Sequence, residues 1–135
     1  MDIKQLDSNL SVGEQITPNE LKKLKDLGYS VIINNRPDGE EDDQPKCADL
    51  KQAAKDLGLT YHHLPLVSGA GISKELVESM KNAIKDDKKT FCFCRSGTRS
   101  TMLWALSQRG KKSADEIINS AKNAGYDISH LKEAL

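Results

Sequence analysis

The stretch KTFCFCRSGTRSTMLWAL, residues 89–106, decides the fold. Its first six residues, KTFCFC, predict a buried strand, because the apolar side chains are consecutive rather than spaced as on a helix face. The short loop RSGT follows, and the next helix is expected to begin at Arg99 or Ser100 and to end at Gly110. In open α/β sheets ligands bind where such a loop leaves the carboxyl end of a strand. The segment is therefore also the expected binding site.

The same alternation of strand and helix runs through most of the chain. Further strands are predicted in YSVIINN (29–35) and LTYHHLPLV (59–67), and RPDGEEDDQP (36–45) is predicted to be a loop because of its prolines and glycine. Helices are predicted in TPNELKKLKDLG, KCADLKQAAKDLG, SKELVESMKNAIKDD and SADEIINSAKNAG. Capping boxes are expected from Thr17 with Glu20 and from Ser113 with Glu116. Ser73 is expected to be a single N-cap. This pattern predicts an α/β fold with a largely parallel central sheet flanked by helices, as one domain over residues 1–135.

Composition narrows the range of functions. The chain has 135 residues with 20 basic and 20 acidic side chains, and this balance argues against nucleic-acid and membrane-surface binding. No apolar run has the length of a membrane span, and the stretch MDIKQLDSNLSVGEQ lacks the apolar core of a secretion signal, so a cytoplasmic location is expected. In that compartment the three cysteines are expected to be thiols, and neither their spacing nor that of the histidines suggests a metal site or a cofactor.

The loop after the third strand combines a thiol with groups that attract anions. Backbone N–H groups of such a loop converge, and the following helix adds its unpaired amides and the positive end of its dipole. The thiolate of Cys94 should be favoured there, which predicts a nucleophile, while Cys92 is expected to be a core thiol. Arg99 can hold an oxyanion with two parallel hydrogen bonds, and Ser100 is a further donor to the thiolate. The residues expected to contact the anion are Arg95, Ser96, Gly97, Thr98 and Ser100, with Arg36 contributing from the end of the VIINN strand.

CRSGTRS looks like the active-site loops of cysteine phosphatases and of rhodanese sulfurtransferases. More specifically, LSVGEQITPNEL, VIINNRPDGEE, HLPLVSGAGIS, FCFCRSGTRSTMLWAL and AGYDISHL resemble the beta-lactamase hydrolase-like or DUF442 family, which is also labelled a sulfurtransferase family. The resemblance implies a dual-specificity-phosphatase-like fold, with Cys94 as nucleophile and the segment to Arg99 as the anion cradle. Some relatives are fused to persulfide-oxidising domains, which implies a functional link to persulfide-oxidising enzymes.

Two features favour sulfur transfer over phosphate hydrolysis. Four residues separate Cys94 from Arg99, as in many rhodaneses, whereas cysteine phosphatases usually have five and a histidine where this chain has Phe93. The stretch LPLVSGAGIS, where dual-specificity phosphatases carry an aspartate as general acid, contains no acid. Sulfite leaves thiosulfate without needing such a proton. The prediction is a sulfurtransferase that moves sulfane sulfur through a Cys94 persulfide, with a small-molecule sulfur donor and acceptor as partners.

Two alternatives stay open. The first is a protein tyrosine or dual-specificity-type phosphatase that acts on a phosphorylated substrate through a Cys94 phosphocysteine, with Asp38 as the substitute general acid. The second is a non-catalytic anion-binding module with an inert Cys94. The acidic run from Glu40 to Asp43 is expected to be a solvated loop face.

Overall fold

Five strands form one sheet in the order β1-β2-β5-β3-β4 in the computed structural model, which describes residues 1–135. The strands are β1 (Ile3–Gln5), β2 (Leu10–Gly13), β3 (Val31–Asn34), β4 (Thr60–His63) and β5 (Thr90–Phe93). The helices are α1 (Glu20–Asp26), α2 (Cys47–Asp56), α3 (Lys74–Ala83), α4 (Thr98–Ser107) and α5 (Ala114–Asn123), followed by a 3₁₀ helix (Ser129–Ala134). None of the helices has the length and apolarity that a membrane crossing requires.

The sheet is parallel apart from one edge. β5 pairs in parallel with β2 and β3, β3 pairs in parallel with β4, and only β1 runs antiparallel, against β2. The predicted α/β fold with a largely parallel central sheet is confirmed. Parallel neighbours need a crossover connection, which explains why strands and helices alternate along the chain.

Helices cover both faces of the sheet. Successive residues of a strand point to opposite faces, so Val31 and Ile33 face one core cluster while Ile32 faces the other. The first cluster contains apolar residues of α3, α4 and α5, among them Met80, Leu103, Trp104, Ile117 and Ala121. The second contains Leu21 and Leu24 of α1 and Leu50 and Ala54 of α2. Consecutive apolar residues in the central strands therefore reflect burial on both faces.

Two of the three predicted side-chain caps at helix N-termini are confirmed. The Ser73 side chain accepts the N–H of Leu76, and Ser113 with Glu116 forms a complete capping box. The Thr17 cap is wrong, because α1 begins at Glu20 after a residue with no side-chain cap. Only the carboxylate half of that box forms, with Glu20 Oε1 accepting the N–H of Thr17 at 2.9 Å.

The first two strands were not predicted from the sequence. Both are short, and the single apolar alternation of Leu10 and Val12 in β2 is too brief to predict a strand. β2 is defined by its place beside β5, where all four of its residues are buried. Gly13 is required there, since an added Cβ would lie 2.7 Å from the carbonyl oxygen of Asp2 and 2.8 Å from the ring of Phe91.

A crevice opens between the carboxyl ends of β3 and β5. The chain leaves β3 toward α2 on one face of the sheet and leaves β5 toward α4 on the other. The loops 35–46 and 94–97 therefore diverge from two neighbouring parallel strands, which is the arrangement that forms ligand sites in open α/β sheets.

Candidate active site

Cys94 follows β5 directly and lies at the base of this crevice, with only 1% of its surface exposed. Its Sγ accepts the backbone N–H of Gly97 at 3.1 Å. Gly97 precedes α4 and has φ +98°, a left-handed conformation that side chains other than glycine adopt only with strain. The loop thus folds back so that its own amide faces the sulfur.

Backbone amides around Cys94 form an array of free donors. α4 begins at Thr98, earlier than expected, so the first amides of that helix are those of Thr98, Arg99 and Ser100. These three amides, and those of Arg95 and Ser96, donate to no acceptor in the protein, while the N–H of Thr101 bonds to Gly97. Several free amides at a helix N-terminus form an anion-binding site in which the helix dipole favours negative charge.

Arg99 is held along one edge of its guanidinium group. Nη1 and Nη2 donate to the two carboxylate oxygens of Glu40, each at 2.9 Å, and Nη1 also donates to the carbonyl of Leu66 at 2.8 Å. A guanidinium has five N–H groups, so Nε–H and the second N–H of Nη2 remain. These two share the adjacent edge and donate to no oxygen acceptor in the protein, and the Cys94 thiol lies beside the guanidinium group. Arg99 therefore keeps one two-pronged edge for an external anion.

The opposite charges of Arg99 and Glu40 stabilise each other. The pKa of Glu40 is lowered to about 2, chiefly by its hydrogen bonds with Arg99 and also by those with Arg36. The pKa of Arg99 is raised, first by Glu40 and further by the Cys94 thiol that lies beside it. Glu40 is consequently a carboxylate throughout the physiological pH range and cannot donate a proton.

Arg36 lies in the wall of the cleft but is engaged by the protein. Its Nε donates to Glu40 at 2.8 Å, Nη1 to Gln15 at 3.1 Å and Nη2 to Glu41 at 3.2 Å, and the side chain is almost fully buried. Three of its five N–H groups donate to protein acceptors, so Arg36 supports Glu40, and direct contact of Arg36 with the anion stays a prediction.

At the mouth of the cleft, Arg95 and Glu41 form a more exposed ion pair. Arg95 Nε lies 2.8 Å from Glu41 Oε1, but the side chain of Arg95 is 71% exposed. The hydroxyls of Ser96 and Thr98 lie 3.2 Å apart and are exposed, and Ser96 lines a different depression, beside Tyr126. The cleft is lined by Arg36, Glu40, Glu41, Ser68, Arg95 and Arg99.

Ser100 has a different partner from the one expected. The amide nitrogen of Asn35 donates to the carbonyl of Leu64, so its Oδ1 must be the acceptor for the Ser100 hydroxyl, 2.8 Å away. The hydroxyl proton is therefore committed to Asn35 and does not serve the Cys94 thiolate. Through this bond Ser100 ties the start of α4 to the end of β3.

Residues 2–111 match the family described as "Beta-lactamase hydrolase-like protein, phosphatase-like domain". The chain belongs to this family. Curated relatives of this phosphatase-like domain are the beta-lactamase hydrolase-like proteins of Xylella fastidiosa strain Temecula1, 33% identical, and of Agrobacterium fabrum, 29% identical. Each alignment covers 95% of this chain but 30% of the relative, so the phosphatase-like domain spans under a third of those proteins.

Solved structures confirm the dual-specificity-phosphatase-like fold of the domain. A candidate phosphatase from Neisseria meningitidis is 34% identical, with a TM-score of 0.83 over 98% of this chain and 95% of that one. A DUF442 candidate phosphatase from Shewanella putrefaciens is 18% identical with a TM-score of 0.77, over 98% and 83%. The kinase-associated phosphatase, 18% identical with a TM-score of 0.70 over 96% and 87%, shares the fold.

The phosphatase-like domain does not bring Asp38 to the nucleophile. Asp38 Oδ1 accepts the N–H of Cys47 at 2.8 Å, so its carboxylate caps the first turn of α2. It lines a separate surface depression together with Asp42 and Lys46, outside the cleft of Arg99. An aspartate after Pro37 in a loop that leads to a helix thus has a capping role, which the sequence did not distinguish from an acid in the cleft.

The residue that sequence reasoning missed in this phosphatase-like domain is Glu40. The acidic run was expected to be a solvated face, and all four residues from Glu40 to Asp43 are indeed exposed. Glu40 and Glu41 in addition bind the three arginines of the cleft. The sequence contained an indication of this role, because two acids follow Arg36 closely in a loop that leaves the carboxyl end of β3, beside the loop that leaves β5 at Cys94.

Proposed function

We propose that this protein is a cysteine-dependent phosphatase whose nucleophile is Cys94. The observation that carries the proposal is a buried thiol that accepts the Gly97 N–H, in a loop whose other amides have no acceptor in the protein, with the Arg99 guanidinium beside it. Such an arrangement binds a tetrahedral oxyanion and presents a sulfur nucleophile to its central atom. The relatives with this fold are described as phosphatases, and the kinase-associated phosphatase has a cysteine in its catalytic site.

The proposed reaction has two steps. Cys94 Sγ attacks phosphorus, an S–P bond forms, and the P–O bond breaks with its electron pair on the leaving oxygen. Water then attacks phosphorus, which releases inorganic phosphate and the thiolate. The free edge of Arg99 and the amides from Arg95 to Ser100 bind the phosphoryl oxygens, and Glu40 keeps the arginine oriented through both steps.

No acid of the cleft is placed to protonate the leaving group. Glu40 is ionised, Glu41 is paired with Arg36 and Arg95, Asp38 caps α2, and the loop 64–73 contains no acid. An alkoxide leaves slowly without a general acid, whose contribution is typically about 10²–10⁴-fold. We therefore infer that the substrates are phosphates with good leaving groups, such as aryl phosphates, acyl phosphates or phosphoanhydrides.

A substrate series tests this function. The rate of p-nitrophenyl phosphate hydrolysis should depend on Cys94, so Cys94→Ser should abolish it, whereas Cys92→Ser, at the neighbouring core thiol, is the matched control. Acid quenching during turnover should trap one phosphate on Cys94, detected by peptide mass spectrometry. Rates across aryl phosphates should fall steeply as the pKa of the leaving phenol rises. Full activity in Cys94→Ser would refute the proposal.

Sulfur transfer is the second candidate, favoured by the missing acid and by the four-residue spacing from Cys94 to Arg99. Here Cys94 Sγ attacks the outer sulfur of thiosulfate, the S–S bond breaks, sulfite leaves, and a thiol or cyanide then removes the persulfide sulfur. Incubation with thiosulfate should add one sulfur atom to Cys94. A protein that gains this sulfur and does not hydrolyse aryl phosphates is a sulfurtransferase. One that does neither, with slow alkylation of Cys94, is an anion-binding module.

A further inference from the structure

Tyr126 reaches the nucleophile loop from an element that the proposed reaction does not use. It follows α5, and its N–H bonds to the carbonyl of Ala121 at 2.9 Å, with Gly125 at φ +99° between them. This closure of the helix end fixes the backbone of Tyr126. α5 is itself anchored in the core by Ile117 and Ala121. The backbone position of Tyr126 is therefore set by α5 rather than by residues 94–97.

The side chain of Tyr126 contacts one peptide group of the loop. Its hydroxyl donates to the carbonyl oxygen of Ser96 at 3.0 Å. The ring packs against Gly97 so closely that a Cβ added there would lie 2.8 Å from Cζ and closer still to the hydroxyl oxygen. Gly97 thus needs to be glycine for two reasons, its left-handed φ and the tyrosine against it.

The peptide group that Tyr126 holds is the one that faces the sulfur. The carbonyl of Ser96 and the N–H of Gly97 belong to the same planar trans peptide, so they point in opposite directions. Tyr126 binds the carbonyl end, and Cys94 Sγ accepts from the N–H end at 3.1 Å. Next to a glycine, rotation of this peptide meets little steric resistance, and it would turn the carbonyl toward the sulfur.

We propose that Tyr126 is a positioning residue that fixes the Ser96–Gly97 peptide with its N–H toward Cys94. This inference rests on the proposed role of Cys94 as nucleophile. Tyr126 donates through a protonated hydroxyl, and its pKa is raised by burial first and then by the negative charge of Cys94, so the donor is present over the whole working pH range.

The substitution Tyr126→Phe tests the proposal because it removes the donor and keeps the ring against Gly97. The matched control is Tyr29→Phe, which removes a tyrosine hydroxyl bonded to Ser11 in the core, away from the loop. Alkylation of Cys94 by iodoacetamide is followed by peptide mass spectrometry, which separates it from Cys47 and Cys92. The assay needs no substrate.

Tyr126→Phe should slow alkylation of Cys94 at about pH 6 by about threefold or more, and much less at about pH 9.5, where free thiols also ionise. It should lower kcat for p-nitrophenyl phosphate by a similar factor, with little change in thermal stability. Alkylation and kcat within about 1.5-fold of the parent at the lower pH would overturn the proposal, as would an equal effect of Tyr29→Phe. Absence of hydrolysis in the parent would refute the proposed function, while the alkylation comparison would still decide the role of Tyr126.

Discussion

Replacing Glu40 by glutamine tests whether Glu40 orients Arg99 for the proposed reaction. Glu40→Gln keeps the size of the side chain but removes its charge and one of its two acceptor oxygens. In the parent, Arg99 makes three hydrogen bonds to the protein, two of them to this carboxylate. The variant leaves the bond to Leu66 and one bond from the guanidinium to a neutral amide oxygen, and it places an amide N–H group against a guanidinium N–H group.

The size of the effect follows from these bonds. A hydrogen bond that involves a charged group contributes about 1.5–3 kcal/mol, and Glu40→Gln leaves Arg99 with one such bond fewer. The side chain of Glu40 is 23% exposed, so we take the lower part of the range, a net loss of about 1.5 kcal/mol in the positioning of Arg99. If that orientation is needed in the transition state, kcat/KM falls by about tenfold.

Steady-state kinetics with p-nitrophenyl phosphate measure the effect, with Glu41→Gln as the control. Glu41 binds Arg36 and the exposed Arg95 but not Arg99, so its substitution should change kcat/KM by less than about threefold. An increase of kcat/KM in Glu40→Gln would refute the reasoning, because it would mean that the carboxylate competes with the substrate for Arg99. An unchanged value would mean that Leu66 alone orients the arginine.

The stabilisation by the ion pairs of Glu40 depends on pH in a defined direction. The pKa of Glu40 is lowered to about 2 in the folded protein from 4.5, so the stabilisation by its ion pairs is complete above the unfolded value. It is lost as the pH falls from about 4.5 through 2. The ratio of kcat/KM between parent and Glu40→Gln should therefore be constant from about pH 5 to 8. A ratio that changes within this range would show that Glu40 titrates there.

Three further substitutions separate binding, acid catalysis and folding. Arg99→Lys should lower kcat/KM for p-nitrophenyl phosphate by about 10²-fold, since lysine has no two-pronged edge; near-parent values would contradict the role of that edge. Asp38→Asn still accepts the Cys47 N–H, so hydrolysis of aryl phosphates with poor leaving groups should stay within about twofold; a selective loss there would restore Asp38 as the acid. Ser113→Ala should reduce the free energy of unfolding in urea by about 1 kcal/mol without changing kcat, and an unchanged midpoint would mean that the capping box is not stabilising.

Local patterns in the sequence were sufficient for the central strands, the helices and the nucleophile loop. Val31, Ile32 and Ile33 are consecutive and apolar, so a strand buried on both faces could be predicted without neighbours. Cys94 and Arg99 lie within six residues of one another, and the strand, loop and helix that hold them are contiguous. Their proximity is therefore a property of local geometry, which sequence spacing reports directly.

Contacts between distant segments could not be predicted in the same way. The partner of Arg99 is Glu40, 59 positions away, and the partner of Ser100 is Asn35, 65 positions away. Asp38 and Glu40 are both acids of one loop, and only the path of that loop decides that one caps α2 while the other enters the cleft. The order of the strands, which sets β3 beside β5, determines these pairings.

The sequence by itself determined the class of fold and the position of Cys94 in a loop between a buried strand and a helix, because periodicity, turn residues and close spacing are local properties of the chain. Only the tertiary structure decided that β2 joins the sheet, that Glu40 orients Arg99, and that Tyr126 holds the peptide opposite Cys94. These depend on how separate elements pack. Packing brings together residues that are far apart in the chain, and the sequence around each one does not indicate which residue it will contact.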